Sequence, residues 1–183
     1  IGRHAPGYRD VRAMTRAMHH VLFAHGTAID ALRAERAKNL GIVTVLKHLQ
    51  PFSSSAEDAA ATDVEDAMFN RWYMDGVCKG SYPEVLVKLL EPHLPTGWQE
   101  DLAVVSRPLD WIGINYYTRQ IVQFDASVPL WRSKKVPGEL PKNDLGWEIY
   151  PEGLTHVLQR VTREYTKLPI YVTENGISEN DDT

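Results

Sequence analysis

Strand-like runs alternate with helical stretches along this chain, and that alternation restricts it to a parallel sheet wrapped by helices. Between about Arg9 and Lys38, Val11, Met14, Met18, Val21, Leu22, Ala28, Ile29 and Leu32 recur at intervals of three and four, the spacing of one helix face. Gly26 sits inside that stretch at a tolerable cost, and Asn39 and Gly41 supply its stop signal. The β-branched run from Ile42 to Leu46 is long enough for a buried strand. Pro51 and the Ser53-Ser54-Ser55 cluster are expected to end it in a loop.

Thr62-Asp63-Val64-Glu65 reads as a capping box opening a second helical region, with Val64, Met68 and Trp72 four apart. Gly76 and Gly80 interrupt it. Pro83 suits a first helical position ahead of Leu86, Leu89 and Leu90. From Leu90 to Pro108 the pattern is weak and predicts short helical turns and loop. A second strand spans Leu109 to Tyr117, and a polar, Pro-containing excursion covers Gln123 to Asp144. Pro151 opens a third helix with Leu154, Val157, Leu158, Val161 and Tyr165 on its face. Ile170 to Thr173 is the third strand, and Glu174-Asn175-Gly176 turns off its end.

Strands joined through helices predict right-handed crossovers and a sheet buried on both faces. A doubly wound sheet and part of a (β/α)8 barrel both fit. Three strands complete neither, and a whole barrel takes about 250 residues against the 183 present. Such a piece is expected to expose sheet edges and one face of each barrel strand.

Composition narrows the function. No run nears the roughly 20 apolar residues of a membrane span. A net charge of -4 without a basic block excludes a chain built to hold nucleic acid. Cys78 is alone, which removes a disulfide framework and thiolate metal sites, and favours a reduced, cytoplasmic setting. The chain opens Ile1-Gly2-Arg3-His4 with no initiator Met and no secretory signal, and it stops at Thr183 just past a strand-like run, so both ends read as cut.

Glu174 follows strand residues directly, at the carboxyl end of a parallel strand, where ligands bind in barrels and open sheets alike. A carboxylate there could act as nucleophile or base, or simply be the polar residue that ends a strand. Asn115 and Tyr117 share one strand face with Gly113 and Trp111. Their amide and phenol could bond a sugar hydroxyl and a carboxylate; the alternative is a turn Asn and a core Tyr. Trp147 could form an apolar platform beneath a sugar ring or anchor its loop. Glu152 is explained by the helix dipole at the start of its helix. His19, His20 and His25 lack metalloprotease spacing, and phosphate-loop, dinucleotide and nucleophile-elbow motifs are absent. No metal and no cofactor is expected.

Taken together, four segments resemble the family 1 glycoside hydrolases, the β-glucosidase family, over essentially the whole chain. Val172-Thr173-Glu174-Asn175-Gly176 is similar to that family's nucleophile signature, and Asp110 to Thr118 resembles its Asp-Phe-Ile-Gly-Ile-Asn-Tyr-Tyr-Thr strand. Gly146-Trp147-Glu148-Ile149-Tyr150-Pro151-Glu152-Gly153 resembles its Gly-Trp-Glu-x-x-Pro-Glu-Gly segment, and His4-Ala5-Pro6-Gly7 a motif that follows the fourth barrel strand. The resemblance implies an α/β fold, part of a (β/α)8 barrel covering about strands five to seven, with residues 1–183 as one partial domain. It implies a retaining β-glucosidase in which Glu174 is the nucleophile, Tyr117 orients it, Asn115 lies in the glycone pocket and Trp147 lines the aglycone side. The implied partner is a β-glucoside or short β-linked oligosaccharide, with neither nucleic acid nor membrane.

Two departures from the family pattern stand out. Val45 occupies a fifth-strand position where the family often has Asn. The Asn-Glu-Pro motif that carries the family's acid/base would precede Ile1, so the chain is expected to hold one catalytic carboxylate and to be inactive alone. Alternatives are a 6-phospho-β-glycosidase, a subgroup that commonly has Ser at the place of Asn115, or a non-hydrolysing carbohydrate-binding relative.

Overall fold

The computed structural model describes residues 6–180, so His4 and Ala5 of the first motif lie outside the described residues. The chain forms two compact units, residues 1–40 with 71–108 and residues 41–70 with 109–183.

The first unit is helical: α1 (Val11–Ala34), α3 (Trp72–Lys79), α4 (Glu84–Leu90), a short 3-10 turn (Glu91–His93) and α5 (Trp98–Val105). The Asp10 side chain caps α1 by accepting from Ala13 N. The buried face of α1 is Thr15, Met18, His19, Leu22, Gly26 and Ile29, whereas Val21 and Leu32, expected on the apolar face, are exposed. His19 is wholly buried and satisfied on both nitrogens: Nε2 lies 3.0 Å from the Asp101 carboxylate and Nδ1 2.9 Å from the Tyr82 hydroxyl. With Nε2–H donating to Asp101, Nδ1 accepts from Tyr82. Tyr82 stacks on Trp72 with ring centroids 3.8 Å apart. Gly26 has a steric role rather than a tolerated one, because a Cβ there would run into the Val104 carbonyl of α5. Gly80 ends α3 in the left-handed conformation at φ 63°.

The second unit holds the sheets. β1 (Gly41–Val45), β3 (Trp111–Tyr116) and β6 (Ile170–Asn175) form a parallel sheet in the order β1-β3-β6, each new strand added to the same edge. Ile112, Ile114 and Tyr116 bury one face of the central strand completely or nearly so. On the flanking strands Val43 is 45% exposed, Val45 39% and Tyr171 55%, so the expected open sheet is present. Gly113 fits between β1 and β6, where a Cβ would crowd Val43 and Thr173.

Five elements differ from the sequence reading. The segment after β1 is a strand, β2 (His48–Pro51); a further strand, β4 (Arg119–Phe124), follows β3 and runs into the polar excursion, which holds β5 (Ser133–Val136). β2 pairs with β4 in parallel and β4 with β5 antiparallel. These short polar strands carry little hydrophobic periodicity, and pairing defines them. The third strand also runs two residues further than expected and includes Glu174. Finally, α2 (Ala56–Asp66) starts before the supposed capping box. Ser55 is its cap, accepting from Asp58 N at 3.1 Å, and Thr62 lies mid-helix with its hydroxyl donating to the Asp58 carbonyl. A π-helical turn, Ala67–Arg71, follows α2. Within it the Asn70 carboxamide accepts from Lys47 N at 3.0 Å and donates to Lys47 O at 2.9 Å, satisfying the backbone between β1 and β2. α6 (Glu152–Glu164) completes the unit, and its Arg160 forms a bidentate pair with Asp66. No helix among the described residues is long and apolar enough to cross a membrane.

Two outcomes follow for stability. Helix propensity alone would make Gly26→Ala favourable by about 1 kcal/mol, but the close approach to Val104 reverses the sign. Urea unfolding is expected to show a loss of about 1–3 kcal/mol, the overpacking range; a gain would disprove the close approach. The second concerns His48, which stacks on His156 with centroids 4.6 Å apart. Burial, then His156, Arg119 and Arg160, lower its pKa from 6.5. The unfolded chain therefore takes up that proton first, and stability falls as pH drops below about 6.5. Melting temperatures between pH 7 and pH 5 should show this slope in the native sequence and a shallower one in His48→Gln.

Candidate active site

The site is built where β3 and β6 lose their regular pairing. Ile114 pairs with Val172, but Asn115 pairs with Glu174, leaving Thr173 as an extra residue on β6. In an uninterrupted register Asn115 would face Thr173 and Glu174 would face Tyr116. The bulge instead brings the Glu174 carboxylate level with Asn115, the kind of re-aiming that bulges provide beside functional sites. The extra residue is itself satisfied, since the Thr173 hydroxyl donates to Asn115 Oδ1 at 2.6 Å. Asn175 then ties the strand end down by donating from its side chain to the Tyr116 carbonyl at 2.8 Å.

Tyr117 lies one residue past the last residue of β3 and donates its hydroxyl to Glu174 Oε2. A charge-assisted bond of this kind fixes one carboxylate oxygen and leaves the other free to react. The Trp147 ring stands 5.8 Å from the Tyr117 ring at 57° and is 43% exposed. Its loop is pinned by Asn143, whose Oδ1 accepts from Leu145 N and Trp147 N and whose own N–H donates to the Trp147 carbonyl. Gly146, at φ 75°, supplies the left-handed residue of that turn. Asn115 itself is buried, and Val45 of β1 is its register partner on the other side.

Neighbouring polar groups serve structure. Glu148 is buried and bonded by Arg119 at 2.7 Å and by Leu140 N at 2.9 Å. The Arg119 guanidinium holds its carboxyl below the usual range, and the carboxylate in turn raises the arginine. A Cβ at Gly138 would occupy the space of that carboxylate. The Tyr116 hydroxyl donates to the Tyr150 carbonyl at 2.7 Å just ahead of α6, and Gly153 is the residue that leaves room for it. The glycine of the Pro-Glu-Gly segment therefore serves a packing contact.

All four sequence-derived residues, Glu174, Tyr117, Asn115 and Trp147, fall in the second unit and are linked in one chain of contacts. Sequence reading missed the residues that hold them: Thr173, Asn143 and the Arg119–Glu148 pair. Asn143 carried a usable signal, an Asn three residues before Gly; the Arg119–Glu148 pair, 29 residues apart, carried none. Among the described residues no group of three or more His, Cys, Asp or Glu side chains is placed to hold a metal ion.

The chain is 35% identical to β-glucosidase A of Thermotoga maritima over 98% of its own length and 41% of that protein's. It is 35% identical to β-glucosidase A of Acetivibrio thermocellus over its full length and 42% of that protein. Among solved structures, the family 1 β-glucosidase of Thermotoga maritima superposes with a TM-score of 0.91 at 34% identity, covering 98% of this chain and 40% of that one. A β-glucosidase from Exiguobacterium marinum gives 0.90 at 35% identity, covering 100% and 42%. The chain thus spans about two fifths of the relatives it matches, and its α/β architecture is that of part of a (β/α)8 barrel. Since residues 1–183 also match Glycosyl hydrolase family 1 from end to end, the chain belongs to that family.

Proposed function

We propose that this chain carries the nucleophilic half of a retaining β-glucosidase acting on β-glucosides or short β-linked oligosaccharides. The observation that supports this most is the bond from Tyr117 to the Glu174 carboxylate at the carboxyl end of a parallel strand. Names of the relatives, β-glucosidases for the most part, point the same way. Both units are read as parts of one barrel domain, working in a reducing, cytoplasmic setting.

The chemistry then takes two steps. The free oxygen of Glu174 attacks the anomeric carbon, the glycosidic C–O bond breaks, and the departing oxygen takes a proton from a second carboxylic acid. That second group, now a carboxylate, removes a proton from water, whose oxygen attacks the same carbon and releases Glu174. Asn115 is assigned to the hydroxyls of the sugar bound at the nucleophile, and Trp147 to the apolar face of the leaving group. Tyr117 keeps the carboxylate in the attacking orientation.

The second carboxyl must stand about 5 Å from the first. Glu148 is committed to Arg119, and Glu152 lies in the first turn of α6. We place the acid/base in a part of the barrel that this chain does not include. The 183-residue chain alone is therefore expected to show no turnover of an aryl β-glucoside; rates near those of a complete relative would refute this assignment.

In the complete enzyme, Glu174→Gln is expected to lower kcat by about four to six orders of magnitude, the scale on which losing a member of a catalytic triad acts. Tyr117→Phe removes one hydrogen bond to a charged group, about 1.5–3 kcal/mol, and should lower kcat roughly 10- to 100-fold with a smaller change in KM. Initial-rate kinetics on a nitrophenyl glucoside distinguish these outcomes from an unaltered enzyme.

A further inference from the structure

Lys47 lies just past β1 and differs from the salt-bridged lysines in what surrounds its half-buried ammonium group. Lys79, Lys88 and Lys134 each face a carboxylate, of Asp75, Glu84 and Asp125, at 2.7, 2.6 and 3.5 Å. Lys47 Nζ has no carboxylate partner among the described residues. Its contacts are a 3.4 Å bond to Gln120 Oε1, at the outer limit for a hydrogen bond, and the face of Phe69, 4.3 Å to the centroid. An ammonium carries three donors, so one long bond leaves most of its hydration unreplaced. The aromatic face returns only part of what a partly buried charge loses.

The backbone of Lys47 is also held in place. The Asn70 carboxamide bonds both its N–H and its carbonyl, fixing the point from which the side chain runs over Phe69. Glu65 on α2 favours the charged form, and Lys135 on β5 opposes it more strongly; with desolvation the largest cause, the pKa falls to about 8. At pH 7 about a tenth of such amines are uncharged, against well under a thousandth for an ordinary lysine. The residue nevertheless retains partial exposure, enough for a small reagent to reach it.

We propose that Lys47 is a reactive amine at which this chain forms imines with small aldehydes, the open-chain form of a reducing sugar among them. The nitrogen lone pair attacks the carbonyl carbon, the C=O bond is replaced by C=N, and the oxygen leaves as water with both protons of the amine. Nothing is oxidised or reduced. Lys47 sits at the carboxyl end of β1, where Leu46 N donates to the Asn115 carbonyl at 3.0 Å, so the modified residue lies at the same end of the sheet as Glu174. The sugar arm of the proposal rests on the glycosidase reading, whose product is a reducing sugar; the general aldehyde chemistry does not.

The test uses the enzyme containing this chain, glyceraldehyde as probe and cyanoborohydride to reduce each imine as it forms, with peptide mapping by mass spectrometry. At pH 7, Lys47 should be labelled at least about fivefold faster than Lys79, Lys88 and Lys134 in the same molecules. Its rate should level off above pH 8 while theirs keep rising. Gln120→Glu supplies the missing carboxylate and should slow Lys47 labelling severalfold. Equal labelling of all four lysines, a Lys47 rate that rises in parallel with the others, or no effect of Gln120→Glu would each overturn the proposal. Labelling with glyceraldehyde but not with glucose would overturn the sugar arm alone, leaving the glycosidase reading to the kinetics of Glu174→Gln.

Discussion

One extra residue in one strand sets the geometry on which the site depends. Parallel strands keep side chains on alternate faces, and a regular β3–β6 pairing would put Glu174 opposite Tyr116, whose ring is buried on the helix-facing side. By leaving Thr173 unpaired, the chain advances Glu174 to Asn115, within reach of the Tyr117 hydroxyl. Such a slip would be unfavourable if the bulged residue lost its partners. The Thr173 hydroxyl bonds Asn115, and Asn175 bonds the Tyr116 carbonyl, so the irregularity is closed on both sides. Asn115 is thereby part of the scaffold as well as a candidate sugar contact.

The second sheet extends this rigidity along the chain. β2 and β4 continue the paths of β1 and β3, and β5 closes their far edge. Their polar side chains are bonded across elements: Arg119 joins Glu148 and Gln50, Asp58 accepts from Phe124 N, and the Ser133 hydroxyl donates to Glu65. Replacing one member of such a buried pair leaves a charge without a partner. Glu148 is thus held as a structural anion, and the same bond that fixes it positions the start of the Trp147 to Gly153 segment. Lys47 is a contrast within this unit, a half-buried cation with no carboxylate partner among the described residues.

How much of this was legible beforehand follows from the type of signal. The parallel strands were readable because Ile42 to Leu46, Leu109 to Tyr117 and Ile170 to Thr173 are short runs rich in β-branched and aromatic residues. Glu174 was readable from its place at the end of such a run. β2, β4 and β5 were hidden, since His48-Leu49-Gln50-Pro51 and Ser133-Lys134-Lys135-Val136 owe their extended form to partners far off in sequence. Thr62 misled because a hydroxyl and a carboxylate three apart suit a helix interior as well as a start, and Ser55 had the stronger cap. Gly26 looked merely tolerable and Gly153 was only part of a motif, their meaning residing in the Val104 carbonyl and the Tyr116 hydroxyl.

The central claim is that the bulged strand end presents Glu174 to the anomeric carbon of a β-glucoside. A 2-deoxy-2-fluoro glucoside with a good leaving group slows the second step more than the first and leaves the sugar on the nucleophile. Mass spectrometry of the inhibited complete enzyme should find one fluoro-sugar equivalent, on the peptide that contains Glu174. A label on any other residue, or inactivation without a label, would contradict the account.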